Sequence, residues 1–174
     1  MVNQKLVWGE LDPQGRFWVK GEAYRVAIGA GGVRPLKQEG DLATPVAEMP
    51  VRRVFYRADR IPKPRAAVPV IALAPDDGWC DDPSSEFYNC QVRLPHAARH
   101  EVLWREDFVY DLLAVLGWND APAVPGKGSA IFLHVARPDF RPTEGCVALA
   151  QADLQRVLAL GLTGVRVLNG AVSG

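Results

Sequence analysis

The chain has 174 residues, a length typical of one domain, and its 20 Lys and Arg residues balance 20 Asp and Glu residues. The zero formal charge argues against a nucleic-acid binder that neutralises phosphates, and no apolar run approaches the length of a membrane span. With 16 Gly and 14 Pro, the composition favours short strands and turns over long helices. We expect one mainly β (α+β) domain over residues 1–174.

The first half of the chain predicts strands joined by turns. Lys5–Leu11 and Arg16–Val19 are predicted to form a hairpin, because Asp12–Gly15 has the Asp-Pro-x-Gly pattern of a type I turn. The segment Pro75–Asn89 is rich in Asp and Ser and is predicted to be a long loop, a feature that is often functional. Further strands are predicted at Ala23–Ile28, Arg52–Arg57 and Val70–Leu73.

The second half predicts two helices and three strands. His96–Glu106 is expected to form a short helix. The apolar runs Leu112–Leu116 and Ala130–Val135 are typical of buried strands. Gln151–Leu160 places its apolar residues on one helical face and precedes a glycine, so it has the clearest helix pattern in the chain. Val165–Leu168 is expected to be a closing strand.

A candidate nucleophile and a candidate base lie between the second buried strand and the last helix. A thiol needs help to ionise near neutral pH, and the imidazole of His134 is suited to accept the Cys146 proton. The nearby helix N-terminus would favour a thiolate if the thiol points at it. Gly145 leaves backbone N–H groups free for an oxyanion hole. The residue types also fit a structural thiol and a structural histidine.

The cysteine spacing does not favour a metal site. His134 and Cys146 lie twelve positions apart and lack the paired spacing of structural zinc sites, and Cys80 and Cys90 lie ten apart. We therefore expect no metal. The sequence leaves open whether Cys80 and Cys90 form a disulfide.

Two segments resemble the L,D-transpeptidase catalytic domain family, which has the YkuD-type fold. The family carries a His followed by Ser/Thr-x-Gly-Cys and an apolar residue, which here are His134 and Thr143–Val147. Its upstream Gly-x-x-x-Thr-Pro pattern appears as Gly40–Pro45, in the expected order. The resemblance extends over most of the chain. It implies a β-sandwich or barrel with one or two short helices.

The resemblance also implies a cysteine acyltransferase that acts on peptidoglycan stem peptides and needs no cofactor. Cys146 would attack the carbonyl of an L-centre residue, typically meso-diaminopimelate at position three, and expel the terminal D-Ala, with His134 as general base. An amine of another stem peptide would then accept the acyl group. We expect a periplasmic monomer, although no signal peptide is visible in the sequence.

The sequence departs from the family at two positions. Glu144 stands where the family usually has His, and its carboxylate should raise the pKa of the Cys146 thiol unless it points away or pairs with Arg137 or Arg141. In the family, the backbone carbonyl at this position commonly orients the catalytic His. Ala148 replaces an Arg that helps hold substrate, so Arg137 and Arg141 become candidates for that role.

These departures resemble an atypical proteobacterial branch of the family. The shared segments include Gly78–Pro83, Gly128–His134 and Pro142–Leu149. Members of such a branch form an unusual linkage that involves L-Ala at position one of the stem.

The predicted substrate-binding residues are two arginines, two hydroxyl residues and two aromatic residues of the predicted loop. Three of them have a structural alternative: Trp79 and Tyr88 would also suit covering a core, and Ser129 would suit capping its strand. The set is Arg137, Arg141, Thr143, Ser129, Trp79 and Tyr88.

Two other functions stay open. An altered acceptor site would admit water and make the domain an L,D-carboxypeptidase or endopeptidase of the same fold. The same departures would also suit a cell-wall-binding module that has lost catalysis, although His134 and Cys146 are both present.

Overall fold

The structure is a computed structural model that describes residues 6–170. Strands dominate this part of the chain, together with a single short helix, which confirms the predicted mainly β class. The strands are β1 (Val7–Leu11), β2 (Arg16–Val19), β3 (Glu22–Ala27), β4 (Val33–Arg34), β5 (Thr44–Pro45), β6 (Glu48–Tyr56), β7 (Val70–Ala72), β8 (Asp77–Cys80), β9 (Gln91–Arg93), β10 (His100–Val102), β11 (Leu112–Leu116), β12 (Phe132–Val135), β13 (Val147–Leu149) and β14 (Leu162–Val167), and the helix is α1 (Gln151–Ala159).

The largest sheet closes into a barrel. Its strand order is β11-β12-β13-β3-β2-β1-β14-β6-β7, and β11 also pairs with β6, so eight strands form a ring and β7 extends one side. Closure leaves the ring without exposed sheet edges. Two smaller sheets, β10-β8-β9 and β4-β5, lie outside this ring.

The predicted hairpin is confirmed for its described residues, while Lys5 lies outside them. Strands β1 and β2 pair antiparallel, with Leu11 opposite Phe17. The buried Asp12 accepts hydrogen bonds from the backbone N–H groups of Gln14 (3.0 Å) and Arg16 (3.1 Å), which holds the turn. The other predicted strands and the last helix are also present, with ends shifted by a few residues.

Strands β11 and β12 separate two cores. Side chains alternate between the faces of a strand, so Leu112 and Ala114 pack inside the barrel with the buried face of α1, whereas Leu113 packs into a second core outside it. On β12 the same alternation places Leu133 inside and Phe132 outside. His134 therefore projects on the outer side, in the direction of the second core.

Two predictions around the second core are wrong. Pro75–Asn89 is not only a loop, since it contains the wholly buried strand β8, and His96–Glu106 is not helical, since it contains β10. Local composition does not indicate these strands because their hydrogen-bond partners are distant in the sequence. His100 pairs with Cys80, and Gln91 pairs with Trp79, in a three-stranded sheet. Tertiary pairing of this kind overrides local propensity.

The thiols of the three cysteines are free. Cys80 is buried in β8, and its N–H donates to the carbonyl of Cys90 at 2.9 Å. These two residues are thus neighbours that are not joined by a disulfide in this structure.

A buried hydroxyl connects the barrel to the segment that carries Cys146. Thr44 Oγ1 accepts a hydrogen bond from the Gly29 N–H and donates one to the Gly145 carbonyl, each at 2.9 Å. The backbone on either side is also paired, because Thr143 donates its N–H to Ile28 and accepts from Ala30. The threonine of the Thr-Pro pattern therefore holds the segment that precedes Cys146 against the barrel.

Removing this hydroxyl should destabilise the fold. Thr44→Val would leave the buried Gly29 N–H and Gly145 carbonyl without partners, and we expect the free energy of unfolding in urea to fall by about 2–4 kcal/mol. Thr44→Ser keeps the hydroxyl and should lose only about 1 kcal/mol, since it removes one methyl group. Equal losses for the two variants would contradict this role.

Candidate active site

The parallel pairing of β12 with β13 brings the candidate nucleophile beside the candidate base. His134 lies opposite Ala148 in the register, and Cys146 immediately precedes β13. Both residues line one cavity of about 330 Å³, called the Cys146 cavity below. Its remaining lining residues are Glu39, Asp81, Glu101, Arg105, Val109, Tyr110, Ser129, Ala130, Arg137, Arg141, Pro142, Thr143, Glu144 and Ala148.

The Cys146 sulfur is held by two backbone groups. Its S–H donates to the Ala130 carbonyl at 3.1 Å, and its Sγ accepts the Phe132 N–H at 3.4 Å. Only 9% of the residue is exposed, so the thiol faces the cavity from a nearly closed position. A carbonyl acceptor favours the protonated thiol.

The His134 ring is oriented by a backbone carbonyl and an aromatic edge. Its Nδ1 lies 3.0 Å from the Val135 carbonyl, which only accepts, so the hydrogen bond places the proton on Nδ1 and leaves the Nε2 lone pair available. The Tyr110 ring packs against it nearly perpendicularly, with centroids 5.4 Å apart. The partner is therefore Val135, whereas the family resemblance led us to expect the carbonyl of residue 144.

The turn before Cys146 is closed by its own threonine. Thr143 Oγ1 donates to the Cys146 carbonyl at 2.6 Å and accepts the Gly145 N–H at 3.1 Å. Gly145 has φ +136°, and a Cβ there would lie 2.9 Å from the Ala43 carbonyl oxygen, so a larger residue would strain this turn. The Gly145 N–H is already bonded, in contrast to the free group that the sequence suggested.

Burial favours the neutral form of both the Cys146 thiol and the His134 imidazole. Burial, reinforced by the charge of Glu101 and to a smaller extent by that of Glu144, raises the pKa of the Cys146 thiol to about 12. Burial also lowers the pKa of His134 to about 4. The positive charges of Arg105 and Arg137 lower this pKa further, because they disfavour a protonated ring. The free protein therefore holds a neutral thiol beside a neutral imidazole.

The condition for help from the helix N-terminus is not met. Strand β13 lies between Cys146 and α1 in the chain, the thiol donates to the Ala130 carbonyl, and its pKa is raised instead of lowered. The expected effect of Glu144 has the right direction, because its charge raises the thiol pKa, but burial is the larger cause.

The predicted substrate-binding residues divide into two groups. Four line the Cys146 cavity: Ser129, Arg137, Arg141 and Thr143. Arg137 pairs with Asp107 at 3.0 Å and not with Glu144, and Ser129 donates to Glu39.

Trp79 and Tyr88 are placed elsewhere. Both are buried and are not part of the cavity wall. Trp79 packs edge-on against Phe132 with centroids 5.1 Å apart, and its Nε1 donates to Asn89. The Tyr88 hydroxyl donates to Glu39 and accepts the Gly128 N–H. They support the cavity from behind.

The sequence analysis missed part of the cavity wall. Glu101 lies in β10 of the three-stranded sheet, Arg105 follows that strand, and Tyr110 contacts both Glu101 and the His134 ring. The helix predicted over residues 96–106 is incompatible with this arrangement, and the residues around Glu101 show no alternation of polar and apolar side chains that would have indicated a strand.

No cluster of His, Cys, Asp and Glu suited to a metal ion is found in residues 6–170. Over the same residues, no helix is long and apolar enough to cross a membrane.

A family model described as the L,D-transpeptidase catalytic domain, YkuD, matches residues 5–168. The chain belongs to this family. A search of curated proteins finds no match.

One solved structure similar to this L,D-transpeptidase-family domain is that of L,D-transpeptidase 1 from Mycobacterium tuberculosis. It is 11% identical, with a TM-score of 0.40 over 93% of this chain and 61% of that one. The chain therefore spans less than two thirds of that structure.

The neutral state of Cys146 predicts a steep pH dependence of alkylation. Because the thiolate reacts and the thiol pKa lies well above neutral, labelling by iodoacetamide should rise about tenfold per pH unit from about pH 6 to 9. Peptide mapping distinguishes Cys146 from the exposed Cys90, which should label first. A rate that levels off near neutral pH would instead indicate a preformed thiolate–imidazolium pair.

Proposed function

We propose that this domain is a peptidoglycan L,D-transpeptidase that works through an acyl-enzyme on Cys146. The observation that carries the proposal is the joint exposure of the Cys146 thiol and the His134 ring to one cavity, with the ring's Nδ1 bonded to a carbonyl and its Nε2 left to act as base. Membership of the family adds the class of substrate, the stem peptides of the cell wall.

Acylation starts from the neutral pair. As Sγ attacks the substrate carbonyl carbon, His134 Nε2 takes the thiol proton, so no separate ion pair has to form before the attack. The new C–S bond gives a tetrahedral oxyanion. When the C–N bond breaks, His134 returns the proton to the leaving amine of D-Ala, and the thioester remains on Cys146.

The oxyanion needs backbone donors that are not already used. Thr143 occupies the Gly145 N–H, whereas the Cys146 N–H donates to no acceptor among residues 6–170. The role of Gly145 is then steric: its backbone lies against Ala43, where a side chain would not fit, and this close approach keeps the turn before Cys146 in place. We assign the Cys146 N–H as an oxyanion donor.

Charged groups around the cavity suit a peptide with carboxylates and an amine. Arg137 and Arg141 are the proposed carboxylate-binding groups. Ser129 and Thr143 present hydroxyl groups at the rim, and Glu144 is exposed beside Cys146. The positions of the stem that become linked, including a linkage to L-Ala at position one, are part of this proposal.

Transfer of the acyl group to an amine makes a crosslink, and transfer to water makes a carboxypeptidase or endopeptidase. The observation that favours the second outcome is the acidic residue Glu144 beside the nucleophile, where the family usually has a histidine. We place the reaction in the periplasm and treat the catalytic unit as a monomer that needs no cofactor.

Product analysis tests this function. Muropeptides incubated with the wild-type protein should give crosslinked dimers by mass spectrometry, and Cys146→Ala should give none. His134→Gln should slow dimer formation by about 10²- to 10⁴-fold, the range of general acid–base catalysis. Cys90→Ser is the matched control, because this exposed thiol lies outside the Cys146 cavity.

Other products would change the assignment. Trimmed monomers without dimers would identify a hydrolase. Muropeptide binding by Cys146→Ala without turnover by either protein would indicate a wall-binding module and overturn the proposal.

A further inference from the structure

Glu101 places an unpaired carboxyl group in the wall of the Cys146 cavity. Its Oε1 accepts the Tyr110 hydroxyl, and within residues 6–170 its Oε2 accepts no hydrogen bond and the side chain forms no ion pair. Glu101 is half-buried, and a carboxylate held partly away from water without a cation is costly, so the group is suited to a cation brought by a ligand.

The other acidic residues of the cavity differ from Glu101. Glu39 accepts hydrogen bonds from two hydroxyl groups, Asp81 pairs with Arg99 at 2.9 Å, and Glu144 is exposed to solvent. Glu39 and Glu101 are both half-buried and form no ion pair within residues 6–170, but the hydrogen-bond partner of Glu101, Tyr110, also packs against the His134 ring. Glu101 is therefore the carboxyl group connected to the candidate base.

The neighbouring cations are bound to another carboxylate. Arg105 pairs with Asp107 at 2.7 Å, and Arg137 pairs with the same carboxylate at 3.0 Å. The Arg105 guanidinium also lies over the Tyr110 ring, 5.3 Å from its centroid. These contacts hold both arginines on Asp107 and leave Glu101 facing the cavity.

We infer that Glu101 binds the ammonium group of the acceptor and removes its first proton. The inference rests on the proposed function, because it concerns the second half of that reaction. A primary amine reaches the enzyme as an ammonium ion near neutral pH, and only its neutral form attacks a thioester. His134 alone accepts one proton, whereas an arriving ammonium ion must lose two.

The titration of Glu101 suits this task. Burial raises its pKa to about 7, with Asp81 and Glu144 adding to the rise, while the Tyr110 hydroxyl and Arg105 oppose it. Burial in the same cavity lowers the pKa of an ammonium ion, so the affinities of donor and acceptor for the proton approach each other. Carboxyl groups poised near neutral pH are efficient proton acceptors.

In the first step of aminolysis, the Glu101 carboxylate takes a proton from R–NH₃⁺, which gives R–NH₂ and the carboxylic acid. The nitrogen lone pair forms a C–N bond to the thioester carbon, and the C–S bond breaks. His134 carries the second nitrogen proton to the Cys146 sulfur, which restores the thiol. The Glu101 proton then exchanges with water.

Glu101→Gln separates the two half-reactions. With muropeptide donor, the rate at which Cys146 is acylated should stay within about twofold of wild type or increase, because the substitution removes a charge that raises the thiol pKa. The ratio of aminolysis to hydrolysis should fall about 10²-fold, as for loss of a general base. We expect this fall in the ratio whether the acceptor is a stem-peptide amine or a free amino acid. Separate reactions with each acceptor show which of the two the wild-type protein uses.

The pH profile gives a second readout. In wild type the aminolysis ratio should rise as pH passes through about 7, where Glu101 becomes a carboxylate, and this inflection should be absent in Glu101→Gln. Glu106→Gln is the matched control, since this glutamate is exposed and lies outside the cavity. Glu101→Asp keeps the carboxyl group and should retain part of the ratio if the glutamine variant does not fold.

Two results would overturn the inference. An unchanged ratio would show that the acceptor does not need Glu101. Acylation that falls in step with aminolysis, in a folded variant, would show that Glu101 acts on Cys146 or His134 instead. A wild-type protein that forms no acyl-enzyme would contradict the proposed function itself, which is a separate outcome.

Discussion

The site depends on one buried hydroxyl group, that of Thr44, which bonds to the barrel on one side and to the cysteine segment on the other. Its two bonds to Gly29 and Gly145 fix the backbone that precedes Cys146. The parallel pairing of β12 with β13 then sets the distance along the sheet between that backbone and His134. Without both constraints, thiol and imidazole would belong to two independent loops.

The second constraint is the burial of the two reacting groups. Cys146 is buried and His134 is half-buried on the outer face of the barrel, and burial raises the pKa of the thiol and lowers that of the imidazole, so each is held in its neutral form. Burial therefore has two effects: it keeps the thiol neutral in the free protein, and it controls when the thiol becomes reactive in the proposed reaction. A neutral thiol is protected from adventitious chemistry, and it is activated only when a carbonyl and a base are aligned.

Charge is unevenly distributed around the cavity wall. Arg105 and Arg137 share Asp107, and this group remains charged because both guanidinium ions hold the pKa of the Asp107 carboxyl well below its usual range. Glu101 has no such partner and has a raised pKa. The cavity therefore separates a permanently charged wall from a titratable one, an arrangement that suits the proposed transfer from a peptide donor that carries carboxylates to an amine acceptor.

The strands of the barrel could be predicted from the sequence because they carry apolar runs, of which Leu112–Leu116 is the clearest, whereas the barrel itself was implied only by the family resemblance. Thr143 and Cys146 could be found because their motif is local. Glu101 could not, since its position depends on the pairing of β10 with β8, and the residues of these strands have no continuous apolar pattern. The position of Trp79 behind the cavity could not be predicted either, because an aromatic residue type favours a contact surface without indicating which side of a wall the ring faces.

The central claim is that Cys146 carries the acyl group. Intact-protein mass spectrometry after mixing with a tetrapeptide stem donor, without acceptor, tests this directly. The account predicts one added acyl mass that maps to the Cys146 peptide and is removed by hydroxylamine. No adduct, or an adduct that maps to Cys80 or Cys90, would contradict it.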